Sequence, residues 1–154
     1  MTTNARIGFG TLFQINDPSG SPPAGWTTVA EVKGVTPPQI SRDAQDATHT
    51  ESPQGWREFI PGLKDAGQVS IELNFVPDSD ATTLLLGTFD LDTPLNARVL
   101  FPDGDQVSSP LTCSSWTFSA ICTGFTPEAP VDGVMAATAT FKISGKPTFV
   151  RATA

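Results

Sequence analysis

The chain has 154 residues and a mass of 16.2 kDa, so one compact domain over 1–154 is expected, with 1–25 an N-terminal arm and 26–150 the core. Hydrophobic residues make up 38%, with three Trp and ten Phe, which excludes full disorder; 13 Gly, 14 Pro and only 16% charged residues predict a turn-dense, helix-poor protein. Nine basic residues against 16 acidic ones leave a net charge of −7, which disfavours a surface built to hold nucleic acid or anionic lipid.

In chain order, Arg6 to Ile15 alternates loosely (Ile7, Phe9, then Leu12, Phe13, Ile15) and predicts a first strand or arm. Asn16 to Gly25 is loop chemistry, rich in Pro, Gly and Ser. Trp26 to Val35 is rich in Thr and Val and reads as one strand, ending at Gly34 or before Pro37-Pro38.

Arg42 to Ala66 shows no lasting period of 2 or 3.6 and reads as a long loop, about 41–66. It nevertheless carries Trp56, Phe59, Ile60 and Leu63, so it either docks onto something or folds back over its own domain.

Gln68 to Val76 is the clearest strand, with Val69, Ile71, Leu73 and Phe75 on one face and Ser70, Glu72 and Asn74 on the other. Asp or Ser in Pro77-Asp78-Ser79-Asp80 suits a helix cap and Gly87 a helix stop, giving one short helix at about 78–87. Asn96 to Phe101 and Val107 onward flank Pro102-Asp103-Gly104-Asp105, a hairpin signal. Trp116 to Phe125 and Val134 to Ser144 alternate again around a loop at Thr126–Gly133; Gly145-Lys146-Pro147 turns the chain into a short last strand, Thr148 to Arg151. The expected fold is mainly β, a β-sandwich or partly open barrel of seven to eight strands.

Catalytic patterns are missing from the sequence. His49 is the only histidine and lies in a polar segment with no partner implied by spacing; nucleophile elbows, metalloprotease pairs and phosphate loops do not occur. One His and two Cys cannot fill a four-ligand zinc site, and no cofactor or metal is expected. Cys113 and Cys122 on one strand would lie ~30 Å apart, far beyond the ~7 Å a disulfide tolerates, so they read as free buried thiols. Six acids against one base (Arg98) between Asp78 and Asp105 make an acidic stretch of turns and a helix cap, without the ligands of a calcium loop. No apolar run approaches the ~20 residues of a membrane span, and the first residues lack a signal-peptide core, so a soluble protein without export or membrane partner is expected.

The order of features resembles one family. A Trp-led strand, Trp26-Thr27-Thr28-Val29-Ala30-Glu31-Val32-Lys33-Gly34-Val35-Thr36-Pro37, precedes a long acidic loop, the Gln68–Val76 strand and the Pro77–Leu86 helix start. There follow Arg98-Val99-Leu100-Phe101-Pro102-Asp103-Gly104 and a Thr/Ala-rich strand closing on Ile143-Ser144-Gly145-Lys146-Pro147. Over roughly Trp26 to Val150 this is similar to the major tail tube protein of long, flexible-tailed, lambda-like phages and phage-like particles, without an added C-terminal immunoglobulin-like domain.

That resemblance implies a structural virion protein made in the bacterial cytoplasm: hexameric rings stacked into a hollow tube. Its partners would be further copies of itself, the tape measure protein in the lumen, tail-tip and terminator proteins at the ends, and DNA only in transit. By position, 42–66 is the loop that reaches a neighbour, with Trp56 and Phe59 as apolar anchors and Arg42, Asp43, Asp46 and Arg57 as polar partners. Ser70, Glu72 and Asn74 are the lumen candidates, an acidic bore being one to which DNA does not adhere. The competing readings are a monomeric acidic β-sandwich that binds carbohydrate or protein through Trp26 and Trp56, and another ring-forming virion protein such as a terminator or decoration protein.

Overall fold

In a computed structural model, the structure describes residues 3, 5–16, 25–108 and 111–153. Nine strands and one helix occur in it. They are β1 (Leu12–Asn16), β2 (Trp26–Thr28), β3 (Val32–Thr36), β4 (Ser41–Asp46), β5 (Phe59–Asp65), β6 (Gln68–Asn74), α1 (Asp80–Phe89), β7 (Leu95–Leu100), β8 (Ser115–Glu128) and β9 (Ala136–Val150). Seven strands form one antiparallel sheet in the order β2-β1-β7-β8-β9-β6-β3, and β4 and β5 form a separate two-stranded sheet. The mainly β expectation holds, as an open sheet curled around its core and not a closed barrel.

The core follows the alternation read from the sequence. Val69, Ile71 and Leu73 of β6, Ala137, Ala139, Phe141 and Ile143 of β9, and Phe118 and Ala120 of β8 are all buried on one face. Phe13 and Phe141, both fully buried, meet with ring centroids 5.4 Å apart across the core. The helix covers this face with Ala81 and Leu85. Its start is set locally: Ser79 Oγ accepts the Thr82 N–H at 3.2 Å, and Asp80 places negative charge in the first turn, where the helix dipole favours it.

Several expectations are corrected, each because long-range pairing overrides local signal. The first strand begins at Leu12, and Ile7 and Phe9 lie exposed before it. Of the expected 16–25 loop, residues 17–24 lie outside the described residues.

Trp26–Val35 is two strands on opposite edges of the sheet. Between them Glu31 takes a left-handed backbone (φ 60°), held by Asn74, whose backbone N–H donates to Glu31 O and whose Nδ2 donates to Glu31 Oε2, both at 3.0 Å. One local run of Thr and Val thus supplies both edges of a sheet that curls until they are neighbours in the chain.

The segment expected as a long loop is an ordered hairpin, β4 paired with β5 through a one-turn 3₁₀ helix at Pro53–Gly55. None of its strand residues is buried, so no alternation marked it in the sequence. At its root Gly67 (φ +72°) leaves no room for a side chain, since a Cβ would sit 2.5 Å from Gln39 O.

Gly87 does not stop the helix, which continues to Phe89. The Asp103-Gly104 signal is not a tight turn; no strand occurs among the described residues 101–108 and 111–114, none starts at Val107, and β8 begins at Ser115. The strand expected to end at Phe125 continues to Glu128, shortening the loop after it. Gly145-Lys146-Pro147 is not a turn but a bulge inside the 15-residue β9, with Gly145 at φ +84° and the register to β8 shifting beside it.

Candidate assembly interface

The β4–β5 hairpin presents apolar side chains with no cover. Trp56 is 73% exposed, Leu63 88%, and Phe59 and Ile60 are also more than half exposed. Exposed apolar groups in one place mark an interaction surface. The hairpin therefore does not fold back over its own sheet, one of the two outcomes left open by the sequence.

Its polar residues are partly committed internally. Arg42 Nε donates to Gly62 O at 3.2 Å, and Asp46 accepts the Thr48 N–H at 2.9 Å; the Thr48 side chain first, and this N–H second, hold its carboxyl below the usual range. Asp43 and Arg57 are exposed, so Arg42, Asp43, Asp46, Trp56, Arg57 and Phe59 share one protruding element.

The root of the hairpin is tied to the main sheet. Lys142 of β9 donates from Nζ to both carboxylate oxygens of Asp65 at 2.8 and 3.0 Å, and the Gly67 N–H donates to Asp65 Oδ1 at 2.8 Å. These bonds lower the Asp65 pKa, the Lys142 contact most.

His49 has partners that spacing did not reveal. Ser52 Oγ donates to Glu58 Oε2 at 2.7 Å, and His49 Nδ1 lies 3.3 Å from Ser52 Oγ and 3.2 Å from Glu58 Oε2. A hydrolytic triad needs the base between nucleophile and acid, with one ring nitrogen facing each. Here a single nitrogen faces both, and the Ser proton goes directly to the Glu, so the cluster locks a turn. Signal for it existed only in the folded hairpin, because β4–β5 pairing is what carries Glu58 back to residue 49.

The face of the main sheet turned from the core carries Ser70, Glu72 and Asn74 on β6, opposite Thr140, Thr138 and Ala136 on β9. Glu72 is exposed and the other two are half-buried. The face is rich in hydroxyl groups; the acids concentrate in the turns instead. There Asp103 accepts the Ser114 N–H at 2.7 Å, and Asp105 accepts those of Val107 and Ser108 at 2.8 and 3.1 Å. Further along the face, Arg98 Nε donates to Gln14 Oε1 at 2.6 Å while its guanidinium stacks 4.3 Å from the Trp26 ring, a contact sequence reasoning missed. Burial in that stack lowers the Arg98 pKa.

Cys113 is buried and Cys122 half-buried; both are free. No group of three or more metal-ligating side chains forms among the described residues, and none of their helices is long and apolar enough to cross a membrane.

Residues 14–150 match the family profile described as lambda phage tail tube protein. The chain belongs to that family. It is a structural component of a phage or phage-like tail, and the binding-module reading is not favoured. The fold is similar to that of a subunit in the tail of an empty gene transfer agent particle refined with C6 symmetry (TM-score 0.69, 20% identity, 95% of this chain and 99% of that one). It is also similar to a chain of the SPP1 tail tube (TM-score 0.67, 6% identity, 93% and 77%) and to one from the sheath/tube terminator of an extracellular contractile injection system (TM-score 0.67, 11% identity, 97% and 99%). No curated protein sequence matches the chain.

Proposed function

We propose that this tail tube protein assembles into six-membered rings that stack into a hollow tube, with the β4–β5 hairpin reaching from each subunit onto a neighbour. The observation that carries this reading is the hairpin itself, a paired and ordered element with Trp56, Phe59, Ile60 and Leu63 exposed and no strand residue buried. An ordered apolar arm is stable in water only at a cost, which a partner surface offsets. Trp56 and Phe59 are the anchors; Arg42, Asp43, Asp46 and Arg57 set the register around them.

The sheet edges β2 and β3 each leave one side without a strand partner among the described residues, and pairing them across subunits satisfies their backbone groups. The face bearing Ser70, Glu72 and Asn74 lines the bore, which encloses a tape measure protein during assembly and later passes DNA. Besides short hydroxyls and the carboxylate of Glu72 the face carries two cations, and both are already engaged: Lys142 by the Asp65 carboxylate, and Arg98 by Gln14 and the Trp26 ring. Tail-tip and terminator proteins close the ends, and the subunit has no catalytic role.

Negative-stain electron microscopy of the purified chain over a range of concentrations tests the proposal. Hollow tubes or stacked rings are expected. Monodisperse monomers at every concentration, with or without a tail-tip complex, overturn it.

A further inference from the structure

At the end of the β8–β9 ribbon where β8 begins, the N-terminal arm, β3 and the residues after β7 enclose an open groove of about 1220 Å³. Its apolar lining includes Ile7 (80% exposed), Phe9 (87%) and Phe149 (48%), the last stacked on Trp116 with ring centroids 5.0 Å apart. Its charged groups are Arg6, Lys33, Arg151 and Asp103. Asp103 keeps its charge and lies beside Arg6, yet three cations against one carboxylate leave the groove net positive in a chain of net charge −7, a cationic, apolar-walled site.

The other end of the same ribbon has the complementary chemistry. The tip, Glu128-Ala129-Pro130-Val131-Asp132-Gly133-Val134-Met135, holds two carboxylates and no cation. Val131 is 100% exposed and Val134 73%. Pro127 and Pro130 stiffen it, and Pro130 packs against Gly133, so little freedom remains to lose on docking. From Ala136 to Phe149 the ribbon runs about 40 Å at 3.3 Å per residue, so tip and groove of one subunit cannot meet.

We propose that the β8–β9 tip of one subunit seats in the Arg6–Lys33–Arg151 groove of the next subunit along the tube axis. Val131 and Val134 contact Phe9, Ile7 and Phe149, while Glu128 and Asp132 face the three cations. Such a contact joins unlike surfaces head to tail, and contacts of that kind either close a ring or continue along a filament; tip and groove lie at opposite ends of the ribbon, so this one is assigned to the continuation from ring to ring. The inference rests on the tube reading and assigns it one of its axial surfaces.

The test uses the full chain. Asp132→Lys and Arg151→Glu are made singly and together, and assembly is followed by light scattering and microscopy. Each single reversal is expected to raise the concentration for half-maximal assembly about tenfold, as a like-charge contact replaces an attraction. The double variant is expected to return to within about threefold of the parent. Carbodiimide coupling of tubes is expected to link Lys33 to Glu128 or Asp132 between subunits, a product absent from monomer and from Lys33→Arg. Should Arg151→Glu fail to fold, Asp132→Lys at the exposed tip and the coupling still decide. Parent tubes with inert reversals and no Lys33 link overturn the groove assignment alone; a parent that forms no tubes removes the tube reading and this inference with it.

Discussion

Lys142 and Asp65 join the two sheets at the hairpin root: the ammonium spans both carboxylate oxygens at 2.8 and 3.0 Å. Lys142 sits on the rigid β9, and Asp65 is the last residue of β5. The pair therefore ties the root of the apolar hairpin to the body, and its loss is expected to loosen how the hairpin is presented. Asp65 is exposed and Lys142 half-buried, so water screens the pair and its contribution to folding is small. Lys142→Met is expected to leave the thermal midpoint nearly unchanged and to raise the assembly threshold several-fold. Raising salt is expected to move the parent toward the variant, since exposed pairs are screened. Light scattering against concentration at two ionic strengths checks both statements.

Four carboxylates, Asp46, Asp65, Asp103 and Asp105, have pKa values held below the usual range by the hydrogen bonds they accept. A depressed folded-state pKa means the stabilisation is present above the unfolded value and lost as pH falls through the folded one. The thermal midpoint is therefore expected to be level from neutral pH down to about pH 4 and to fall below it. Replacing all four with Asn is expected to flatten that acid limb. An acid limb unaltered by the replacement contradicts the assignment.

Removing residues 45 to 62 takes away Trp56, Phe59 and Ile60 without touching a buried side chain. A folded monomer that no longer polymerises is expected, with a near-parental thermal midpoint. Tubes of ordinary length from this variant would show that the hairpin is not the joining arm.

Glu72→Lys places a cation on the face assigned to the bore, at an exposed position between Gly34 and Thr138. Tubes are expected to form as before while DNA passage is impeded, because a ring of added cations would hold phosphates. Particles of normal infectivity carrying the variant would place this face elsewhere.

Phe141 is fully buried beside Phe13 and pairs in register with Val69 and Cys122. Phe141→Ala is expected to cost about 3–5 kcal/mol through lost burial and the cavity left behind. Against a typical total of about 5–15 kcal/mol this brings the monomer close to unfolding. Urea denaturation measures it.

The sequence by itself determined which faces are buried. Period-two alternation in β6, β8 and β9 marked Val69, Ile71, Leu73, Phe118 and Phe141, and local hydrogen-bonding chemistry marked a cap by Asp or Ser within residues 78–80, which is Ser79 in the fold, because both signals arise within a few consecutive residues. Only the tertiary structure decided how the strands are partnered. Trp26–Val35 reads as one strand locally, yet Glu31 splits it between opposite edges, a choice made by Phe13, whose carbonyl accepts the Val29 N–H, and by Asn74 on β6. The hairpin over 41–65 left no alternation to read, since neither of its faces is buried in the monomer. Gly87 and Gly145, which look like a stop and a turn, continue a helix and form a bulge, because packing of Leu85 and Thr88 and pairing of β9 with β8 outweigh a single glycine. Alternation records which side of a strand avoids water; backbone pairing carries no residue label, so edges, hairpin and groove emerge only when distant segments meet.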